Sequence, residues 1–332
     1  LLIAIMVYVM ILVGGATRLT DSGLSITEWK PITGAIPPLS SEHWAEEFRK
    51  YREFTAEYQL QNKGMSLEEF KFIYWWEWGH RLLGRLIGVV FILPFMAFWA
   101  MEFTTPKLRL RLWGLFVLGG LQGFIGWWMV ASGVGDTTRL DVAPYRLMTH
   151  FTLALIIIGG CIWVWLDLKN ISRDVDDRGG RGWALLLLVL AVGQMMLGAL
   201  VAGLDAGRTY TDWPMMDRQF VPEGYWFNEL GLRNLFENEA TAQFNHRIVA
   251  YVLMALSLFA GWKHPRMAGG WFKWLAVIVC AQASLGVYTL IMGAPLWLGL
   301  AHQGLGVALV ITAIVVLWRC SAPQSLRAAD AA

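Results

Sequence analysis

Eight long apolar runs alternate with polar segments along the chain. A hydrocarbon core about 30 Å thick requires about 20 apolar residues in a helix, and each run reaches or approaches that length. The runs cover residues 1–19, 76–101, 110–131, 147–167, 183–204, 244–262, 271–292 and 296–319. This pattern predicts an all-α integral membrane protein with eight transmembrane helices.

Basic residues are concentrated in alternate loops, and this asymmetry predicts the orientation. Lys and Arg in short loops tend to remain on the cytoplasmic side, so we expect both termini in the cytoplasm, or in the matrix of a mitochondrion. The opposite loop between the third and fourth runs carries only Arg139 and Arg146. The basic loops contain Lys107, Arg109 and Arg111, then Lys169, Arg173, Arg178 and Arg181, then Lys263, Arg266 and Lys273.

Composition agrees with a multi-pass membrane protein and excludes other classes. The 332 residues are 56% hydrophobic and 16% charged, with a mean hydropathy of +0.48, which is wrong for a soluble domain. A net charge of +2 gives no reason to expect nucleic acid as a partner. Cys161 and Cys280 lie inside apolar runs and Cys320 lies at the end of the last one, so we expect no disulfide framework.

Two polar segments on the outer side are long. In residues 20–75, Ser40 is a plausible start for an amphipathic helix that lies on the bundle or on the membrane interface. Ser66 and Glu69 have the spacing of a capping box, which predicts that the second spanning helix begins near residue 67, outside the membrane. Residues 205–240 are acidic and rich in Trp, Asn and Gly, and we expect an ordered lid or loop there.

The two halves of the chain resemble each other. Residues 13–29 align without gaps with residues 197–213, and the first apolar run leads into this motif, so we expect a retained helix rather than a cleaved signal peptide. Four crossings return the chain to its starting side. We therefore predict two parallel-repeat four-helix bundles, residues 1–170 and residues 171–332. The matched pairs include Gly14 with Gly198, Asp21 with Asp205, Gly23 with Gly207, Gln122 with Gln282, and Gly126 with Gly286.

Four histidines occupy equivalent places near the outer ends of separate apolar runs. A histidine in a membrane is costly unless it pairs or binds something, although a hydrogen-bonded core histidine is the common case for any single one. Each half supplies two, and two facing imidazoles in a helix bundle are the usual axial ligands of haem iron. The four are His80, His150, His246 and His302.

Other ligands fit the pattern less well. Zinc would require further Cys or His ligands in each half, and a carboxylate-bridged metal pair would require two Glu-x-x-His motifs where the chain has one. A proton relay through the histidines stays open. Arg81 and Arg247 each follow a candidate ligand, and two interpretations remain for them: contact with the haem propionates, or snorkelling toward lipid headgroups.

The halves differ beside their first histidine. Glu77 precedes His80 by three residues, whereas Gln243 precedes His246 by three, and this spacing places each side chain on the face of its histidine. A carboxylate can accept a proton and an amide of similar shape cannot. We therefore expect the second half to hold a haem and the first half to react with one, with a water-exposed rim carboxylate as the alternative for Glu77.

With these residues identified, the chain resembles the haem A synthase family across essentially its whole length. The resemblance implies an eight-helix enzyme that oxidises a ring methyl of haem O to a formyl group through an alcohol, and so supplies haem A for cytochrome oxidase. The predicted orientation places all four histidines at the outer ends of their helices, so we expect a multi-pass protein of the bacterial inner membrane with its haem sites near the outer face. The residues that carry the resemblance are Glu77-Trp-Gly-His80-Arg81, GGATRLTDSGLSITEW at 14–29, His150, Phe244-Asn245-His246-Arg247 and His302.

The resemblance assigns roles to the site residues. It implies that His80 and His150 ligate the substrate haem O, that His246 and His302 ligate the iron of a resident haem b, and that Glu77 is the essential acid. The implied partners are haem O, the lipid bilayer, an electron-transfer protein of unknown identity and, as a candidate, haem O synthase. Some family members carry a cysteine pair in the first outer loop. Residues 20–75 contain none, so the chain is similar to the cysteine-free proteobacterial and mitochondrial type.

Two other functions remain compatible with the residues. One is a dihaem b-type electron-transfer cytochrome, quinol-reactive, in which both haems are permanent. The other is a transporter built from repeats, with a histidine proton relay. The bound pigment separates them, because a cytochrome would hold two identical haems and a transporter would hold none.

Overall fold

The protein is a helical bundle. The structure, a computed structural model, describes residues 1–169 and 178–321. Within these ranges there is no β-strand, and eight helices are long and apolar enough to cross a membrane, which confirms the predicted fold class. The helices are α1 (Leu2–Leu19), α2 (Ser41–Phe54), α3 (Leu67–Ala100), α4 (Pro106–Val130), α5 (Pro144–Asp167), α6 (Arg178–Gly203), α7 (Asn234–Glu237), α8 (Glu239–Lys263), α9 (Trp271–Ile291) and α10 (Leu296–Arg319).

Helix α3 begins well before the apolar run that predicts it. The Ser66 hydroxyl accepts a hydrogen bond from the backbone N–H of Glu69, and the Glu69 carboxylate accepts one of 2.7 Å from the backbone N–H of Ser66. This reciprocal arrangement satisfies two N–H groups that have no partner within the helix. The predicted capping box is confirmed, and α3 extends from the outer segment into the bundle.

The first outer segment packs on the outer end of α3 through aromatic rings. Helix α2 starts after Ser40, whose hydroxyl accepts a hydrogen bond from the backbone N–H of His43. Phe48 and the fully buried Tyr51 place their rings 4.9 and 5.3 Å from that of Phe70 in α3. The predicted amphipathic helix is therefore present, and it lies on the bundle.

Buried asparagines order the second outer segment. Asn234 donates a hydrogen bond to the carbonyl of Phe227, and Asn238 donates one to the carbonyl of Gly224. The Asn238 side chain also caps α8 by accepting hydrogen bonds from its first N–H groups. As predicted, residues 205–240 form an ordered loop, built from turns, short 3₁₀ segments and α7.

The spanning helices form two closed rings of contacts. Helices α1, α3, α4 and α5 contact one another in that order, and α5 returns to α1. Helices α6, α8, α9 and α10 do the same, and the rings join where α1 and α5 meet α6 and α10. These contacts group the spanning helices into two sets of four, and the parallel-repeat arrangement stays a prediction. The predicted boundary at residue 170 lies outside the described residues.

The predicted cytoplasmic ends of three helices are joined by a buried carboxylate. Asp167 at the end of α5 accepts a hydrogen bond of 2.7 Å from Nη1 of Arg111 in α4 and another of 2.7 Å from Nε1 of Trp318 in α10. The Asp167 side chain is fully buried, whereas that of Arg111 is 25% exposed. A buried carboxylate requires such charged and polar partners, so this contact ties the first ring to the second.

Replacing Asp167 with Asn should lower the stability of the folded chain by about 2 kcal/mol, because hydrogen bonds to a charged group contribute about that much. The measurement is the midpoint of thermal unfolding in detergent. The control is Glu68→Gln, which removes the ion pair between Glu68 and Lys71. The Glu68 side chain is 79% exposed, so this change should leave the midpoint nearly unchanged. Equal shifts in both variants would contradict the structural role of Asp167.

Candidate functional site

All four predicted histidines line one cavity. It has a volume of about 950 Å³ and is bounded by residues from both rings of helices, at the upper end of the range for ligand sites. Glu77 also lines this cavity. The structure therefore brings the candidate residues together.

The second histidine pair faces across its own ring of helices. His246 in α8 and His302 in α10 have ring centroids 6.4 Å apart, with planes inclined by 76°. Two imidazoles that bind one metal from opposite sides at about 2 Å place their centroids about 6 Å apart. The spacing of this pair therefore suits a metal ion held between the rings. His80 in α3 and His150 in α5 occupy the matching helices of the first ring.

A glycine on the neighbouring helix faces each imidazole. A Cβ atom added at Gly286 would lie 2.7 Å from Cε1 of His302, closer than real Cβ contacts allow. Only glycine permits this approach of helix backbone to ring. Some of the glycines that the two halves share therefore set the positions of the histidine rings. The pairs are Gly14 with His80, Gly126 with His150, Gly198 with His246, and Gly286 with His302.

Three of the histidines are also contacted by a glutamine, a feature that the sequence analysis did not assign. In each case the amide nitrogen donates a hydrogen bond to the backbone carbonyl of the histidine and lies within 3.0–3.4 Å of a ring nitrogen. The signal was available, because each glutamine precedes the facing glycine by four residues. The pairs are Gln122 with His150, Gln194 with His246, and Gln282 with His302.

Glu77 is buried and held by three donors. Its carboxylate is 3% exposed and accepts hydrogen bonds of 2.7 Å from the Ser25 hydroxyl and from the backbone N–H of Ile26. Nη2 of Arg81 lies 2.6 Å from its other oxygen. The carboxylate is therefore fixed in orientation beside the first histidine pair, and it is not a water-exposed rim residue.

Gln243 occupies the corresponding place in the second half and behaves differently. It is 2% exposed, and its amide donates a hydrogen bond of 2.9 Å to the carbonyl of Tyr210. Where Glu77 accepts from backbone N–H, Gln243 donates to backbone C=O. The acid/amide difference noted in the sequence is thus built into the hydrogen bonding of each half.

Arg81 and Arg247 donate hydrogen bonds to backbone carbonyls in matching ways. Arg81 donates to the carbonyls of Ile26 and Glu28. Arg247 donates to the carbonyls of residues 210 and 212, the repeat equivalents of 26 and 28, and also to that of residue 215. Both side chains also line the cavity. Their observed role is to hold the outer segments over the site, and contact with propionates stays a prediction.

Arg18 is a further charged residue of the cavity wall that the sequence analysis did not select. It is 8% exposed, and its guanidinium contacts Asp21 at 3.0 Å, Asp141 at 3.2 Å and Asp205 at 2.6 Å. Asp21 and Asp205, which are repeat equivalents, both have positive φ angles, 49° and 51°. Burial raises the pKa of the Asp141 carboxyl, an effect that Arg18 opposes. An arginine in an apolar run just before the repeated turn was the available signal.

A second acid is buried outside the membrane-spanning helices. Glu57 is 3% exposed, and one of its carboxylate oxygens has no hydrogen-bond partner. Burial raises the pKa of Glu57 to about 8, and the negative charges of Asp141, Asp21 and Glu77 add to the effect. The end of the first half that is predicted to be the outer one therefore carries a weak acid near neutral pH.

The donor set fits haem better than a bare metal ion. Over residues 1–169 and 178–321, no cluster of three or more His, Cys, Asp or Glu side chains could hold such an ion. A ring nitrogen in each of His80, His150 and His302 is buried without a hydrogen-bond partner, at a cost of about 1–3 kcal/mol each. A flat group held between two imidazoles, in a cavity lined mainly by apolar residues, suits this geometry.

Comparison with known proteins gives a consistent result. Residues 1–314 match the COX15-CtaA family, described as cytochrome oxidase assembly protein. The chain is 54% identical to the protein named Heme A synthase of Hyphomonas neptunium, over 98% of this chain and 93% of that protein. It is 51% identical to that of Agrobacterium fabrum, over 91% and 84%, and 49% identical to that of Maricaulis maris, over 96% and 94%.

The similarity is not confined to a motif. The matched range, residues 1–314, ends within α10 and includes the positions of all the histidines, glycines and acids described above. The chain therefore belongs to the COX15-CtaA family of cytochrome oxidase assembly proteins.

Proposed function

We propose that the chain is a haem A synthase, an oxidoreductase that converts a ring methyl of haem O into a formyl group through an alcohol. The observation that carries the proposal is two histidine pairs on one cavity, with the buried acid Glu77 beside the first pair and the buried amide Gln243 in the corresponding place beside the second. Relatives about half identical to this chain bear the name Heme A synthase. The product would be haem A for cytochrome oxidase.

The position of Glu77 determines which histidine pair we assign to which haem. We assign His80 and His150 to the substrate haem O, because Glu77 lies on the face of His80. We assign His246 and His302 to a resident haem b, whose iron they ligate. When bound there, haem b supplies one-electron redox chemistry. The two rings of helices, and the hydrogen bonds repeated at Arg81 and Arg247, support two parallel halves of this kind.

Glu77 is the proposed base. Conversion of the alcohol to the formyl group removes two electrons and two protons from the substrate; the carboxylate accepts one proton and water takes the other. Its three donors hold the acceptor oxygens in place beside the pair, which removes the entropic cost of orienting a mobile side chain. The electrons pass to an external electron-transfer partner. Haem O synthase is a candidate source of the substrate.

Pigment analysis tests the function directly. Haems extracted from the purified chain and separated by chromatography should include haem b together with haem O, its alcohol form or haem A. Haem b alone, at two equivalents, would instead favour the dihaem cytochrome.

We propose that both termini face the cytoplasm and that the haem sites lie near the outer face of a bacterial inner membrane. A reporter fused after Arg111 should therefore read as cytoplasmic, and a cysteine introduced at Lys63 in the outer segment should react with an impermeant maleimide in intact cells. A periplasmic signal after Arg111 would reverse the orientation.

Replacing His246 or His302 with Ala should abolish the low-spin spectrum of the resident haem, because each supplies one axial bond. The measurement is the reduced-minus-oxidised absorption spectrum of purified protein. His264→Ala is a suitable control, since His264 lies outside the cavity wall and its loss should leave the spectrum intact. A normal b-type spectrum in both ligand variants would refute the assignment.

Glu77→Gln should reduce haem A formation by about 10²–10⁴-fold, the usual contribution of a catalytic base. Arg81 retains its bonds to the carbonyls of Ile26 and Glu28, so the outer segment should stay in place and both haem sites should load. The measurement is the haem A content of membranes that carry the variant.

The matched variant is Gln243→Glu, which introduces the acid into the second half. It should leave turnover nearly intact while shifting the potential of the resident haem, because a charge is placed beside its ligand. Full activity of Glu77→Gln would refute the base assignment. Comparable losses in the two variants would mean that the halves are not specialised.

A further inference from the structure

The four histidines are not held alike. His150, His246 and His302 each have a glutamine amide bonded to their own backbone carbonyl and lying against the ring. In the described part of the chain no such amide reaches His80. The substrate pair therefore has one glutamine, and the resident pair has two.

Methionine occupies the place of the missing glutamine. Each glutamine precedes by four residues the glycine that faces its histidine, as in Gln282 and Gly286. Gly14 faces His80, and the residue four positions before Gly14 is Met10. Met10 also aligns with Gln194 in the repeat, where Gly14 aligns with Gly198.

The position is equivalent in space as well as in sequence. Gly84 and Gly306 each follow their histidine by one helical turn, four residues. A Cβ at Gly306 would lie 2.7 Å from Sδ of Met195 and 3.1 Å from Nε2 of Gln282, and a Cβ at Gly84 would lie 3.2 Å from Cε of Met10. The end of the Met10 side chain therefore packs against α3 one turn after His80. The Gln282 amide packs against α10 at the corresponding point, one turn after His302. Met10 also lines the cavity.

The two side chains act differently on a neighbouring imidazole. A glutamine amide donates a hydrogen bond to the backbone carbonyl of the histidine, so it joins the two helices at that residue and lies against the ring. A thioether has no N–H to donate and is conformationally soft. Groups that orient a metal-binding histidine typically change metal affinity by 10–100-fold when they are removed. A histidine facing methionine consequently lacks this restraint.

We infer that His80 is the exchangeable axial ligand of the substrate haem, and that Met10 is the positioning residue that makes it so. This inference rests on the proposed function, since it takes the His80–His150 pair as the substrate site. It meets a requirement of that function: a substrate haem must arrive and a product haem must leave, while the resident haem stays. Gln122 holds His150, the ligand on the other side of the substrate haem, in place during exchange.

The test compares Met10→Gln with Met10→Leu in the full chain. Both variants are made on a His246→Ala/His302→Ala background, so that only the first site can bind, and the protein is loaded with haem O. Two quantities are measured: the rate of haem transfer to excess apomyoglobin, and the rate at which carbon monoxide binds the ferrous haem, which requires an open axial position. Neither measurement depends on turnover.

Met10→Gln should slow both rates by about tenfold, because it supplies the missing donor, whereas Met10→Leu should match the parent protein. The reciprocal change, Gln282→Met, on a His80→Ala/His150→Ala background loaded with haem b, should accelerate haem loss by about tenfold. A purely steric role for residue 10 would move Met10→Leu as much as Met10→Gln, and this outcome would overturn the inference.

The outcomes also separate this inference from the proposed function. Haem O bound at the first site with unchanged rates in Met10→Gln would refute the role of Met10 and leave the ligand assignment intact. A first site that binds no haem O at all, while the second site still binds haem b, would refute the assignment of His80 and His150 and the inference with it.

Discussion

The site depends on bringing four imidazole rings into the interior of a membrane bundle, where an unpaired polar atom is costly. Each ring is positioned by the same device, a glycine on the neighbouring helix that lets the backbone approach within contact of the ring edge. If the two helices moved apart, the contact between glycine and ring would be lost. If they moved closer, the backbone would collide with the ring. The remaining features of the site, the glutamines, the acid and the arginines, are arranged around this contact.

The two halves share this frame, and side-chain differences beside their first histidines distinguish them. Glu77 and Gln243 occupy corresponding positions, yet one accepts backbone hydrogen bonds and the other donates them. Met10 and Gln194 also correspond, and only the glutamine can donate. Two differences of nearly constant volume thus distinguish a site proposed for reaction and exchange from a site proposed for retention. Such changes are compatible with one fold because volume-conserving replacements disturb packing least.

Arg18 connects the halves at the outer end of the cavity. It lies in the first half and contacts Asp205 in the second, as well as Asp21 and Asp141. A buried guanidinium with several carboxylates is strongly destabilised when its partners are lost, so this cluster holds the two outer turns at a fixed separation. The aromatic contact of α2 with α3 and the buried asparagines of the second outer segment cover the same end of the bundle.

The sequence by itself determined the spanning helices, the capping of α2 and α3, the candidate ligands and the difference between Glu77 and Gln243. These are local properties, because hydropathy over a helix length and the spacing of a few residues set them. Only the tertiary structure decided that Glu77 is buried against Ser25 and Ile26, that Arg18 meets carboxylates from both halves, and that glutamines face three of the four histidines. Those contacts join residues far apart in the chain, and their geometry depends on how closely the helices pack, which no local pattern specifies.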